Sequence, residues 1–126
     1  MLLRDYVAGL AKTVNDISKT NLIVTSNLKT DYRTDKIGIV EGKITFMDGS
    51  ELFFTEYVDV RYRVQKLSYS YHYQQKGGRL VFRYDNARHK PPLSFTDHKH
   101  FEGDEIVEAG APQLRDVLAE IMEWLL

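Results

Sequence analysis

The stretch that decides the fold is residues 66–85, which read KLSYSYHYQQKGGRLVFRYD. Tyrosine recurs at every second position from Tyr69 to Tyr73, with polar side chains between, which is the period of a β-strand that buries one face. Gly77-Gly78 then predicts a two-residue turn of the primed type. The following residues alternate in the same way, so the stretch predicts an antiparallel β-hairpin.

The turn also predicts which side chains face each other. Tyr73 is expected opposite Phe82, and Tyr71 opposite Tyr84, which gives an aromatic ladder on one face of the hairpin. An aromatic ladder of this kind is typical of a sheet face that packs against a core.

The other face of the hairpin is polar. His72 is expected opposite Arg83, and Ser70 opposite Asp85, with about 4.5–5.5 Å between the Cβ atoms of facing residues. Two cations this close repel, unless Asp85 or a bound phosphate supplies a negative charge. The neighbouring arginine therefore favours a neutral His72, which can act as a base at pH 7.

Periodicity in the rest of the chain predicts the other elements. Apolar residues at steps of three and four predict a helix over residues 2–19 and a second helix that opens at Pro112, a favourable first helical residue. Further strands are predicted at 22–30 and, as a pair, within 37–60, and a short strand around 98–101 stays open. The order α-β-β-β-β-β-α predicts one α+β domain over residues 1–126: an antiparallel five-stranded meander sheet with the N- and C-terminal helices packed on one face.

The pair of strands within 37–60 turns at Met47-Asp48-Gly49-Ser50. A two-residue loop would place Phe46 opposite Glu51, whereas a three-residue loop ending at Gly49 keeps apolar residues opposite apolar residues. Glu56 shares the apolar face of this hairpin. We expect a bulge or a strand end that lets its carboxylate reach water, with a general base or an orienting group as the functional alternative.

Charge is segregated along the chain. Residues 61–100 hold nine of the seventeen Lys and Arg residues, two of the eighteen Asp and Glu residues and all four histidines, a net charge of +7 in a chain whose total is −1. If these residues converge in space, they favour an anionic partner such as nucleic acid, phosphate or an acidic peptide. The alternative is a set of solvated faces that do not converge.

Composition excludes several other classes. The chain has no cysteine among its 126 residues, which excludes a disulfide framework, a thiolate nucleophile and a cysteine zinc site. No apolar run has the length of a membrane span, and no signal-peptide pattern is present, so we expect a cytoplasmic protein without membrane contact.

Three polar runs hold the candidate chemistry, at residues 71–74, 83–89 and 97–100. The candidate catalytic residues are His72, Arg83, Asp85, His98 and His100. RNA cleavage without a metal needs one group that removes the 2′-hydroxyl proton, another that protonates the leaving oxygen, and a cation on the phosphate. Histidine exchanges protons near neutral pH, and arginine binds phosphate well. Candidate nucleic-acid contacts are Tyr73, Arg79, Arg88, His89, Lys90 and Lys99.

The same histidines allow a metal interpretation. His89, His98 and His100, together with Asp85, offer nitrogen and oxygen ligands for a divalent metal hydrolase. His-x-His alone is a weak signal, so we expect no metal and no cofactor, and the metal hydrolase is kept as an alternative.

Several of these runs together resemble the TumE-like family of prokaryotic toxin–antitoxin modules. The resemblance rests on Tyr69–Gln74, Arg79–Ala87 and His98–His100, and more weakly on Asp48–Ser50, on Glu56–Val58 and on the amphipathic ends. The matching positions are Tyr71, His72, Tyr73, Gln74, Arg83, Asp85, Asn86, His89, His98, Lys99 and His100. Arg88, Lys90 and Asp97 depart from the family pattern, which has proline, histidine and histidine there.

The resemblance implies a toxin that is neutralised by an antitoxin protein encoded nearby, with RNA or the translation machinery as its target. Together with the charge pattern it predicts a protein that inhibits translation by binding or cleaving RNA, the enzymatic form being a metal-independent ribonuclease. A non-catalytic binding module is the alternative. RNA and the antitoxin are the expected partners, and a homodimer stays open.

Overall fold

The computed structural model describes residues 1–88 and 93–126, and this part of the chain contains two helices and seven strands. In chain order the elements are α1 (Leu3–Ser18), β1 (Ile23–Tyr32), β2 (Ile37–Phe46), β3 (Glu51–Asp59), β4 (Gln65–Gln74), β5 (Leu80–Asp85), β6 (His98–Phe101), β7 (Ile106–Glu108) and α2 (Leu114–Leu125).

The strands form one antiparallel sheet in the order β1-β2-β3-β4-β5-β6-β7. Each strand pairs with its neighbours in the chain, so the predicted meander is confirmed. The predicted number of five strands is wrong, because β6 and β7 continue the meander beyond β5. They span only four and three residues, which is too short for alternation to stand out. The strand left open around 98–101 forms as β6 and pairs with β5, and β7 pairs with β6.

Both helices pack on one face of the sheet, as predicted. Leu10 and Val14 of α1 and Val117 and Ile121 of α2 belong to the same buried cluster as the inner residues of β2 to β5. The sheet residues of that cluster are Val40, Ile44, Phe46, Leu52, Phe54, Tyr69, Tyr71, Tyr73, Val81 and Phe82. In residues 1–88 and 93–126, no helix lies on the opposite face of the sheet, which we call the open face.

The helices begin in the same way. The backbone N–H of Leu2 donates to Asp5 over 3.0 Å, and the N–H of Gln113 donates to Asp116 over 2.9 Å, so each carboxylate satisfies an amide at a helix N-terminus. The second helix starts after Gln113, so the prediction that Pro112 is its first residue is wrong. Pro112 precedes the N-cap residue Gln113, and its carbonyl accepts a hydrogen bond from Lys66, as described below.

The β2–β3 hairpin has the predicted three-residue loop. The N–H of Phe46 donates to the carbonyl of Ser50 over 2.9 Å, and Gly49 ends the loop with a φ of 85°. Ile44 consequently faces Leu52, and apolar residues remain opposite apolar residues.

The β4–β5 hairpin has the predicted register over most of its length. Tyr73 faces Phe82, Tyr71 faces Tyr84, His72 faces Arg83 and Ser70 faces Asp85.

The turn of this hairpin differs from the prediction. The N–H of Gly78 donates to Gln75 over 2.9 Å, which centres the turn on Lys76-Gly77 instead of Gly77-Gly78. The register shifts beyond Tyr73, where Gln74 faces Leu80. A bulge therefore absorbs the extra loop residue and preserves the pairing of the longer, aromatic part.

Gly42 lies where β2 passes under a buried ring. A Cβ at this position would stand 2.1 Å from Cε1 of Phe54, whose side chain is buried. We expect Gly42→Ala to lower the free energy of unfolding by about 1–3 kcal/mol through overpacking, measured by urea denaturation. Gly9→Ala is the control, because Gly9 lies in α1 with open space around it, and there alanine should stabilise by about 0.5–1 kcal/mol. Equal effects of the two substitutions would contradict this account.

Candidate functional site on the open face of the sheet

The open face brings together residues from four neighbouring strands. Phe53 of β3 faces His72 of β4, which faces Arg83 of β5, which in turn faces His100 of β6. A second row runs beside it, in which Asp85 faces His98. All five candidate catalytic residues therefore lie on the open face, on the adjacent strands β4, β5 and β6.

Asp85 is the centre of this cluster, which we call the Asp85 cluster: His72, Arg83, Asp85, His98 and His100. One carboxylate oxygen of Asp85 lies 2.6 Å from Nε2 of His98, and the other lies 2.7 Å from Nε of Arg83 and 3.5 Å from Nε2 of His100. The side chain is buried. Burial would raise the pKa of Asp85, but the hydrogen bonds from Arg83 and from the N–H of Ala87, with the charges of His98 and Arg83, hold it below its usual value.

His98 is fully buried, and both of its ring nitrogens face oxygen acceptors. Nδ1 lies 2.7 Å from the carbonyl of Thr96, and Nε2 lies 2.6 Å from Asp85. A neutral imidazole has one N–H only, so two acceptors call for an imidazolium, or for a metal ion in place of the Nε2 proton. The ring of His100 meets that of His98 edge to face, with 4.7 Å between centroids.

The hydrogen bonds of His72 differ from those of His98. Nη1 of Arg83 lies 3.4 Å from Nδ1 of His72, and Nε2 of His72 lies 3.0 Å from Oε1 of Gln74. A guanidinium can only donate, so Nδ1 accepts and Nε2 carries the proton. His72 is therefore neutral in this arrangement, and Asp85 supplies the negative charge beside Arg83.

Two candidate contacts for nucleic acid lie on the helix-covered face instead. Tyr73 is 2% exposed, and its hydroxyl donates to Ser50 over 2.8 Å. Nζ of Lys99 lies 2.7 Å from a carboxylate oxygen of Glu120 on α2 and 4.7 Å from the ring centroid of Tyr84. Alternation along β4 and β6 places both side chains on the face of the sheet that lies away from the Asp85 cluster.

The other candidate contacts do not join the cluster as a group. Arg79 is exposed and pairs with Glu102 over 3.2 Å, while Arg88 is exposed just beyond β5. His89 and Lys90 lie outside the described residues, so the predicted metal set of three histidines and Asp85 is described only for Asp85, His98 and His100.

Among the residues that the structure describes, the basic side chains of 61–100 do not form one surface. Five of them pair with carboxylates at separate places: Arg61 with Asp59, Lys66 with Glu56, Arg79 with Glu102, Arg83 with Asp85, and Lys99 with Glu120. Lys66 and Lys99 point towards the helices, whereas Arg83 points to the open face. The basic and acidic residues are therefore more clearly separated along the sequence than they are in space.

A second polar cluster lies under the helices, around Glu56. The expectation that Glu56 reaches water is wrong, since its side chain is fully buried. Its carboxylate accepts hydrogen bonds from the hydroxyls of Tyr6 and Tyr71 and lies 3.8 Å from Nζ of Lys66. Nζ of Lys66 also donates to the carbonyl of Pro112 over 2.6 Å. We call the four residues Glu56, Tyr6, Tyr71 and Lys66 the Glu56 network.

Lys66 enters this network because of a bulge that alternation did not reveal. Tyr57 faces Ser68, but the next residue of β3, Val58, faces Lys66, so Leu67 is the extra residue. The bulge reverses the parity of β4 at its start and turns Lys66 towards the helices. Burial lowers the pKa of Lys66, and burial together with the Glu56 charge raises the pKa of Tyr71.

A cleft of about 730 Å³ opens beside the Glu56 network, between α1, the start of β4 and the start of α2. Tyr6, Lys66 and Tyr69 line it, together with Arg63 and Arg115. Because the oxygens of Glu56 and the ammonium of Lys66 already bond within the protein, the network holds α1, β3, β4 and the residue before α2 together.

Comparison with known families decides the identity of the chain. The family model described as Toxin TumE matches residues 11–125, which include every residue of the Asp85 cluster. The chain belongs to the TumE toxin family. Family membership supports a toxin role for the protein. No curated protein and no solved structure gave a significant match.

The structure also bears on membrane contact. In residues 1–88 and 93–126, neither helix combines the length and apolar character that a membrane crossing requires.

Removing one partner from the Glu56 network should destabilise the fold. In Glu56→Leu the ammonium of Lys66 stays buried without its carboxylate, and the hydroxyls of Tyr6 and Tyr71 lose their acceptor. We expect a loss of about 3–5 kcal/mol in the free energy of unfolding, measured by urea denaturation. Adding Lys66→Met should recover part of that loss, because the unpaired charge is removed with it.

The exposed pair Lys12–Asp16, at 3.0 Å, gives the control. Asp16→Asn should change stability little, since solvent screens that pair. A double variant as unstable as Glu56→Leu would show that the charge of Lys66 is not what destabilises the single variant.

Proposed function

We propose that this TumE-family toxin inhibits translation by binding RNA on the open face of its sheet, and that the Asp85 cluster cleaves the bound strand without a metal. The observation that carries the proposal is that Arg83 and His100 share one buried carboxylate, Asp85, and that His72 lies beside Arg83. This set matches the cation, base and acid that RNA transesterification needs.

Arg83 is the phosphate-binding group. Its Nε donates to Asp85, which fixes the guanidinium, while its side chain is 40% exposed and keeps further N–H groups for a phosphate oxygen. A phosphate oxygen that accepts a hydrogen bond from Nη1 of Arg83 replaces Nδ1 of His72 as the acceptor. Nδ1 is then free to take up a proton. Substrate binding would thus convert His72 from a hydrogen-bond acceptor of Arg83 into an available base.

The reaction then follows ordinary ribonuclease chemistry. His72 takes the proton of the 2′-hydroxyl, the 2′-oxygen attacks phosphorus, and the bond from phosphorus to the 5′-oxygen breaks. His100 gives its proton to the departing 5′-oxygen. The products are a 2′,3′-cyclic phosphate and a free 5′-hydroxyl, so protons and bonds balance.

Asp85 and His98 act as positioning residues. Both are buried behind the exposed groups, and Asp85 touches Arg83, His98 and His100 at once. The buried pair fixes the positions of Arg83 and His100 relative to each other, which is what an active site needs before the substrate arrives.

The proposed partner is an antitoxin protein encoded nearby. An acidic segment that lies on the open face would pair with Arg83 and exclude RNA from the same groups. RNA and antitoxin would therefore compete for the protein.

A divalent metal hydrolase is the second candidate. Asp85, His98 and His100 each offer a ligand atom, and these atoms lie within 4.8 Å of one another. The carbonyl of Thr96 on Nδ1 of His98 is the kind of outer partner that orients a metal-bound histidine. The metal would supply a bound water as nucleophile, and these three residues would hold it.

Toxicity should depend on His72. Expression of the unmodified protein without its antitoxin should arrest bacterial growth and alter the total-RNA profile, and His72→Ala should abolish both effects, because the base is lost. Circular dichroism melting should show an intact fold, since His72 lies outside the aromatic core. Ser68→Ala is the matched control on the same strand and face, and it should remain toxic.

Two results would count against this proposal. A folded His72→Ala protein that still arrests growth would remove His72 from the site. Normal growth on expression of the unmodified protein would remove the toxin mechanism itself.

Chelation separates the two candidate functions. The purified protein should cleave RNA equally well with and without a strong chelator, because the proposed acid, base and cation are side chains. Cleavage that disappears on chelation and returns with one particular divalent metal would select the hydrolase. In that case Asp85→Asn should lower the affinity for that metal, measured by isothermal calorimetry.

A further inference from the structure

Phe53 is an aromatic side chain in the middle of the open face. It lies on β3, the third of seven strands, and is 37% exposed. Its neighbours along the same face of β3 are Glu51 and Thr55, so the ring stands on a polar surface away from the buried core. The fold does not use this ring in its core.

The position of Phe53 relative to the Asp85 cluster is fixed by strand register. Phe53 faces His72 on β4, with 6.4 Å between ring centroids, and His72 faces Arg83 on β5. Neighbouring strands lie about 4.8 Å apart, so the ring stands roughly 10 Å from the Arg83 position along one row. An aromatic ring, a neutral histidine and a guanidinium thus follow each other across the sheet.

A cation borders the ring on its other side. Nζ of Lys43, which faces Phe53 from β2, lies 5.5 Å from the ring centroid and 3.2 Å from a carboxylate oxygen of Glu51. The side chain of Lys43 is 55% exposed, so it can move off the ring and approach a phosphate. The row therefore offers a π surface with cations at both ends.

We propose that Phe53 stacks a base of single-stranded RNA whose neighbouring phosphate lies at Arg83. This inference rests on the proposed function and names its substrate class. Exposed aromatics beside cations on an open sheet bind unpaired bases by stacking, and a duplex keeps its bases stacked on each other. Because every base has a π-face, stacking on Phe53 tolerates different bases.

The stacking site also orders the reaction. A base held on Phe53 places its own ribose between the ring and Arg83, over His72. The 2′-hydroxyl of that ribose then approaches His72, the neutral side chain that takes up its proton. Phe53 is thus a substrate-binding residue that sets which phosphate reaches Arg83.

The test uses the full chain and 2′-O-methyl RNA, which binds but cannot be cleaved by this chemistry. Affinity for a short single-stranded RNA is compared with affinity for an abasic chain of the same length, by fluorescence anisotropy. Phe53→Leu keeps an apolar side chain and removes the π surface. We expect it to weaken RNA binding roughly 5- to 100-fold and to leave abasic binding unchanged.

Tyr32→Leu is the matched control, because Tyr32 is an exposed aromatic at the far end of β1, and it should leave both affinities unchanged. A strand that contains 2-aminopurine gives a second readout. Its fluorescence should be quenched on binding to the unmodified protein, and the quenching should be lost with Phe53→Leu.

The outcomes distinguish this inference from the proposed function. If the unmodified protein binds RNA and Phe53→Leu binds it equally well, stacking is wrong and the phosphate site stands. If the unmodified protein binds no RNA, both proposals fail. If Phe53→Leu instead weakens only the binding of the antitoxin, the ring serves a protein contact and the stacking inference is overturned.

Discussion

The buried carboxylate of Glu56 ties the helices to the sheet. It accepts from Tyr6 on α1 and from Tyr71 on β4, and it lies near Lys66, whose ammonium also holds the carbonyl of Pro112 before α2. A carboxylate is costly to bury unless its oxygens are bonded. The positions of both helices relative to β3 and β4 are therefore coupled to one polar group, and apolar packing fills the space around it.

A second group repeats the same chemistry at the next two strands of the sheet, β5 and β6. Glu120 on α2 accepts from Tyr84 on β5 and from Lys99 on β6. Each group thus combines a glutamate, tyrosine and lysine at the boundary between a helix and the sheet. Lys66 and Lys99 are thus paired between the helices and the sheet, whereas Arg83 lies on the open face and stays partly exposed.

The two faces of the central hairpin consequently have separate tasks. The inner residues of β4 and β5 build the aromatic core and the polar anchors, while the outer residues carry the Asp85 cluster. Alternation along a strand makes this division possible, because neighbouring residues such as Tyr71 and His72 point to opposite sides. The geometry of the outer cluster is set by the register of the strands that carry it.

The sequence by itself determined the central hairpin and its register as far as Tyr73, including the pairing of His72 with Arg83, because a period of two leaves little freedom; the turn itself differs from the predicted one. It also determined the two helices and the family. Only the tertiary structure decided the burial of Glu56, since the bulge at Leu67 that turns Lys66 inward has no signal in the alternation. The same is true of β7, which is too short to be recognised alone, and of β6, which the sequence left open as a short strand around 98–101; both become strands by pairing. Their pairing places His98 and His100 on Asp85, a contact between segments that local pattern cannot reveal.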